Sequence, residues 1–281
     1  MYADPYAELP LVGTQEPSLG HALISLVEPD PGVEQEYNRW YEDDHFISGM
    51  MDHPWVFSGR RWVATADLQR LRLPAQGSFV DPLTAGCYLA TYWLIAGRND
   101  DHWKWTVARN KRLAQLGRQF ARRRHIYTAY HDHVASVYAG PEEPRDVFAL
   151  IDPSPALVLQ IIDAHTAEQR AELAQHLVSL HLPSRLTASS PASLAIVWTP
   201  QPPDPNMKED VRRASEASQN AGRRLAVLWF LVQEAAGAWP FFAEEPGLIQ
   251  ATGLGTTGLI AAFKPSRMGT DRYADELRGA S

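Results

Sequence analysis

The chain has 281 residues, 45% hydrophobic and 10% aromatic, which is enough for one large core or two small ones and argues against disorder. A formal net charge of −7 runs against nucleic acid as a partner, and the single cysteine, Cys87, excludes an internal disulfide and a thiolate zinc site. The N-terminus lacks a basic segment followed by an apolar one, and no later run approaches the ~20 uninterrupted apolar residues of a membrane span, so a cytoplasmic protein without a membrane partner is expected.

After a Pro-rich leader, 1–17, the first strand is HALISLVEP at 21–29, closed by Pro29-Asp30-Pro31-Gly32. Residues 33–51 carry Tyr37, Trp40, Tyr41, Asp44, Ile47 and Met51 at spacings that include threes and fours, the period of one helical face. His53-Pro54 ends that helix, and the β-branched and aromatic run WVFSGRRWVAT at 55–65 reads as a strand. A polar excursion through 66–84 leads to a strand at 86–97. Asn99-Asp100-Asp101 then offers an N-cap for a helix from about His102 to Arg122, and a fourth strand occupies 125–140.

The same order recurs downstream. Strands are expected at 156–163, 193–199, 223–233 and 256–265, with a helix at 167–182, a weaker one within 238–252 and a short surface helix within 200–222. This predicts an α+β fold of two tandem ferredoxin-like βαββαβ repeats, 18–140 and 145–266, with a tail at 267–281. One such repeat leaves a sheet face uncovered, and a second packed against it buries that face in a single barrel-type unit.

At about 100° per residue, Tyr37, Trp40, Ile47 and Met51 share one face of the first helix, with Asp44 in its middle and His45 at its edge. A carboxylate on an apolar face needs a partner, with Arg60, Arg61 and Arg109 as candidates. Asp44 is then either a buried structural ion pair or a general acid or base with a raised pKa. His45 is the better proton-transfer group, because an ordinary imidazole titrates near pH ~6.5; the alternative is a helix-end histidine bonded to backbone. On the strand HIYTAYHDH, strict alternation places His125, Tyr127, His131 and His133 on one face. His131 and His133 have the spacing of a metal pair, but no third ligand converges and no metal is expected. Trp103, Trp105, Tyr88, Tyr92 and Trp93 make an aromatic-lined pocket plausible in the first repeat. The basic run from Arg118 to Arg124 reads as a solvated helix end, with a phosphate or CoA contact as the alternative. Nucleotide-binding glycine loops, a GxSxG elbow and HExxH are all missing.

The segment EYNRWYEDDHF at 36–46 resembles the EthD-like group of the dimeric α+β barrel superfamily, whose first helix carries an aromatic-x-x-W-x-x-x-x-H pattern, matched here by Tyr37, Trp40 and His45. Where many members place Pro two residues after the histidine, this chain has Phe46-Ile47. The resemblance implies a cofactor-independent lyase, isomerase or cyclase acting on a small aromatic or polyketide-like substrate, with His45 as acid/base and Asp44 or an arginine orienting it. Tyr37, Trp40, Arg61, Tyr92, Trp105, Tyr127 and His131 are then expected around the substrate. Two other readings stay open: a haem protein, since peroxidase-like and haem-degrading members share the fold, and a non-catalytic accessory or ligand-binding protein. A homodimer is one arrangement such chains adopt. His181-Leu182-Pro183 gives the second repeat a histidine of its own.

Overall fold

A computed structural model describes residues 18–207 and 209–278; the expected leader, 1–17, lies outside them. The strands are β1 (Leu19–Pro29), β2 (Val56–Val63), β3 (Tyr88–Ile95), β4 (Arg123–Tyr138), β5 (Ala156–Ala164), β6 (Ala192–Pro200), β7 (Arg224–Leu231) and β8 (Gly255–Pro265). They close into an antiparallel barrel in the order β1-β3-β2-β8-β5-β7-β6-β4. Numbered from its own first strand, each half therefore runs 4-1-3-2. The two seams differ. β4 pairs with β6 from His131↔Pro200 to Tyr138↔Leu194, whereas β2 meets β8 only at Trp62↔Pro265 and Val63↔Lys264. The β2–β3 excursion patches the weaker seam through the Leu73↔Ile260 bridge and a 2.8 Å bond from Ser78 Oγ to the Gly258 carbonyl.

Alternation along each strand decides what lies inside. Ala22, Ile24 and Leu26 of β1 and Leu89 and Trp93 of β3 point into the barrel, which is filled by Trp62, Trp93, Trp198 and Phe230, with Trp93 and Trp198 rings 5.1 Å apart. The other face of the first half, including Tyr88, Ala90 and Tyr92, packs under helices as a separate cluster. In the second half, consecutive residues Leu157, Val158 and Leu159 of β5 are all fully buried, so that half is solid on both faces.

The helices lie outside the barrel. α1 (Glu34–Trp40) continues through two π-helical turns, Tyr41–His45 and Ile47–Met51; α2 (Ala66–Arg70) and α3 (Asn99–Gln115) complete the first half. α4 (Gln169–His176) continues through one π-helical turn, Leu177–His181, into α5 (Leu182–Arg185), followed by α6 (Glu209–Gln219), α7 (Ala235–Ala243) and α8 (Glu245–Ala251). α3 stops at Gln115, short of the expected Arg122. Gly117, at φ +67°, turns the chain so that its N–H reaches the Ala114 carbonyl and that of Arg118 reaches Leu113. Asn99 is the first helical residue, and Arg98 before it makes no side-chain cap.

Residues 267–278 are not a loose tail. Asp271 pairs with Arg39, the Gly269 N–H donates to Glu42, Arg278 pairs with Glu28 and Glu34, and Leu277 is fully buried in the cluster around Tyr37 and Tyr88. This segment straps the first helix onto the sheet. Leu277→Ala should cost about 2–5 kcal/mol, the usual penalty for emptying a buried leucine site. Denaturant unfolding would measure it, and a loss under about 0.5 kcal/mol would mean that the strap is not seated in solution.

Candidate functional site

The first helix lines a cavity of about 400 Å³ with Tyr37, Tyr41, His45 and Gly49, a row at intervals of four. In a regular α-helix each step of four drifts by about 40°, so such a row would wind off the face. The two π turns widen the helix and keep it aligned. This changes the expected phase. Ile47 is 53% exposed and Met50, not Met51, is buried. Asp44 lies at the rim with its side chain 25% exposed, bonded to Ser48 Oγ at 2.6 Å and to the Arg118 guanidinium. Arg118 holds the carboxyl below its ordinary range, which removes the raised-pKa reading and leaves the ion pair. Its partner comes from none of the three arginines expected: Arg109 pairs with Asp52, Arg60 donates to the Asp152 carbonyl, and Arg61 pairs with Glu42.

His45 is tightly packed. Trp40 stacks on its ring at 4.4 Å and 19°, and Gly49 lies so close that a Cβ there would come within 2.6 Å of the imidazole. Its Nδ1 is enclosed with no hydrogen-bond partner among the described residues. Burial, followed by the charge of Arg123, lowers its pKa to about 3, so the ring is neutral at pH 7.

The sheet contributes Leu23, Ser25 and Val27 from β1, Tyr92 from β3, and His125, Thr128 and Tyr130 from β4. Strict alternation would put His125 on the opposite face from Thr128. A bulge at Ile126, where Leu26↔Tyr127 is followed by Val27↔His125, turns it outward, and its Nδ1 lies 2.9 Å from Thr128 Oγ1. α3 presents Trp103, Thr106, Val107, Asn110, Lys111 and Ala114, spaced as one helical face. Asn206, Met207 and Val211, the last on α6, close the mouth from the second half.

Behind the cavity runs a buried polar chain that the sequence reading missed. The Tyr130 hydroxyl lies 3.0 Å from His102 Nε2, which is 3.0 Å from Thr106 Oγ1, itself 3.0 Å from His53 Nδ1. His53 Nε2 stands 3.8 Å from the partly exposed Asp52. Burial lowers His102 to about 3 and His53 to about 4. The only sequence signal is His102 and Thr106 four apart on one helix, which by itself reads as core.

Several expected residues are elsewhere. Tyr127 and His131 lie fully buried on the inward face of β4, bonded to each other at 2.5 Å among the barrel's aromatic rings. Arg61 is buried beneath the phenols, bonded to Glu42 at 2.7 Å and Asn38 at 2.5 Å, its guanidinium over Tyr88 at 4.0 Å and Tyr41 at 4.6 Å. Trp40 acts behind His45, and on α3 it is Trp103, not Trp105, that reaches the cavity. Arg123, read as part of a helix end, opens β4 and lines the cavity. His133 bonds to Ser136, and among the described residues no group of three or more His, Cys, Asp or Glu could hold a metal ion. No described helix is long and apolar enough to cross a membrane.

In the second half a π turn again ends on a histidine, His181, but there the space is filled. His181 Nε2 lies 2.9 Å from Glu245 Oε2; Arg185 and Gln160 also donate to that fully buried carboxylate, and Trp229 donates to Gln160.

No protein-family model matches the sequence, and no curated protein matches it. Among solved structures, an anthrone oxidase-like protein aligns over 94% of this chain and 98% of its own at TM-score 0.49 and 9% identity. A DypB variant of Rhodococcus jostii in complex with heme aligns over 94% and 98% at TM-score 0.49 and 12% identity. A heme-binding protein from Thermus thermophilus aligns over 92% and 94% at TM-score 0.44 and 12% identity. None of these likenesses is close enough to transfer chemistry to this chain.

His45, His53, His102 and His131 all have folded-state values near 3 or 4, below the ordinary 6.5. Between those values the unfolded chain binds more protons than the folded one, so stability is greatest above about pH 6.5 and falls as pH drops toward 4. Denaturant midpoints at about pH 7.5 and 5.5, a range above most carboxylate titration, should show a clear drop. Equal midpoints would mean that the rings are not buried neutral.

Proposed function

We propose that the first-half cavity is the active site of a cofactor-independent enzyme of lyase, isomerase or cyclase type, moving protons on a small aromatic or polyketide-like substrate. The observation that carries this reading is His45: a neutral imidazole clamped by Trp40 and Gly49 at the wall of a cavity that also presents Tyr37, Tyr41, Tyr92 and Tyr130. The likeness of Tyr37, Trp40 and His45 to the EthD-like pattern supports it. The volume suits a compound of a few fused rings.

In this reading His45 removes a proton from a carbon or hydroxyl next to the substrate's carbonyl. The negative charge that develops on oxygen is met by the Tyr130 hydroxyl, whose bond to His102 connects it to Thr106 and His53. Burial keeps the phenols of Tyr37, Tyr92 and Tyr130 protonated and therefore able to donate. A base with a pKa of about 3 is weak by itself; negative charge developing beside it stabilises the imidazolium and raises that value toward neutral pH. Asp44, paired with Arg118, supports the helix end rather than taking a proton.

A second reading, haem binding, is favoured by the same ring, since a neutral imidazole is the form that ligates a metal. His45 would hold the iron and Lys111 and Arg123 would face the haem carboxylates; the group would supply redox chemistry. A Soret band in protein purified or reconstituted with haem, lost in His45→Ala, would favour that reading.

Hydrogen–deuterium exchange on a panel of aromatic ketones and phenols, followed by NMR, tests proton transfer directly. His45→Ala should lose about 10²–10⁴-fold in exchange rate at an unchanged melting temperature, and His181→Ala should lose far less. Gly49→Ala, which keeps the imidazole but pushes it aside, should fall nearly as far as His45→Ala. Full activity in folded His45→Ala would remove His45 from the mechanism.

A further inference from the structure

Charge is distributed unevenly around the cavity. The protein is acidic overall, at −7, yet among the described residues Lys111 and Arg123 line the cavity and no Asp or Glu does. Three carboxylates of the adjoining segment each have an arginine beside them: Glu42 has Arg61, Asp44 has Arg118 and Asp52 has Arg109. Lys111 and Arg123 have no carboxylate partner among the described residues. Arg123 is nonetheless held in place, its guanidinium 4.8 Å from the centre of the Trp40 ring and donating to the Phe120 carbonyl. Lys111 stands exposed on the same rim, one helical turn from Val107 and Ala114 on the cavity-facing side of α3.

A half-buried guanidinium without a counter-charge pays a desolvation cost that an incoming anion relieves, and the acidic remainder of the molecule focuses the contrast at this mouth. The apolar and aromatic walls, Val27, Met50, Tyr92 and Trp103, set the rest of the ligand. The geometry points to an anionic aromatic ligand, a fused-ring compound carrying a carboxylate or an ionised phenol or enol, with its rings against Tyr92 and Trp103 and its charged edge at Arg123 and Lys111. This rests on the cavity being the substrate site and narrows the substrate class to acids and enolates over neutral ketones. It also fits His45, because an anion beside Arg123 offsets the positive charge that opposes protonation of the ring.

The test compares naphthalene carboxylate with naphthamide, a neutral probe of the same ring system and near-equal size, binding to the full-length protein by calorimetry. The carboxylate should bind at least about tenfold more tightly, and raising salt from about 0.05 to about 0.5 M should narrow the gap. Lys111→Met and Arg123→Met should each weaken the carboxylate about three- to tenfold and leave the amide unchanged. Because Arg123 also braces Trp40, Lys111→Met, an exposed substitution, keeps the test valid if Arg123→Met unfolds. Equal affinities, tighter amide binding, or binding of neither probe overturns the inference. The catalytic reading fails separately: a carboxylate preference retained in a protein whose exchange activity is indifferent to His45→Ala would sink proton transfer by His45 and leave the anion site standing.

Discussion

A helix that must show one cavity the side chains at 37, 41, 45 and 49 cannot keep 3.6 residues per turn, because the row would rotate through about 120° from end to end. The two π turns that hold the row in line give up regular hydrogen bonding, so they persist only where their surroundings enforce them. Those surroundings are visible. The Tyr41 and Tyr92 hydroxyls meet at 2.7 Å, tying the helix to β3, and Arg61 sits beneath the phenols with Glu42 as its counter-ion. From the far end of the chain, residues 267–278 add Gly269 to Glu42, Asp271 to Arg39 and Leu277 to the same cluster. The cavity, the clamp on His45 and the displacement of Asp44 to the rim all follow from this widened helix.

The two halves share a strand order and a π turn that ends on histidine, yet their chemistry diverges. Glu245 occupies the space beside His181 and brings Arg185 and Gln160 with it, so every polar group there is answered within the protein. Beside His45 the corresponding space is open, and the ring's Nδ1 has no partner among the described residues. A closed, satisfied network rigidifies a fold, whereas an open cavity bounded by phenols, neutral imidazoles and unmatched cations is arranged to receive something. The second half also closes the first cavity's mouth with Asn206, Met207 and Val211, so one half completes the site carried by the other.

All eight strands could be read from the sequence within a few residues, because β-branched and aromatic runs bounded by Pro and Gly leave little choice. His45, Tyr37 and Tyr92, expected around one pocket, do line the first-half cavity. What could not be read is what breaks a fixed period. A wheel at 100° per residue puts Asp44 and Ile47 on the buried face, whereas the π turns leave Asp44 a quarter exposed beside Arg118 and Ile47 more than half exposed. Strict alternation on β4 groups His125 with Tyr127, and one extra residue at Ile126 separates them onto opposite faces. A polar residue on an inward barrel face suggests a polar cavity, which is why Tyr127 and His131 read as pocket residues; instead they bond to each other within a filled core. The chain from Tyr130 to His53 joins β4, α3 and the end of the first helix, and only the folded chain brings those together.

In the proposed reading, the open half is where this protein meets its ligand, through His45. Ring-nitrogen NMR of histidine-labelled protein at neutral pH, with and without naphthalene carboxylate, tests it most directly. The expected result is a neutral His45 imidazole in the free protein whose ring signals shift on adding the ligand, while those of His181 stay in place. Shifts confined to His181, with His45 unmoved, would place the ligand in the wrong half and contradict the account.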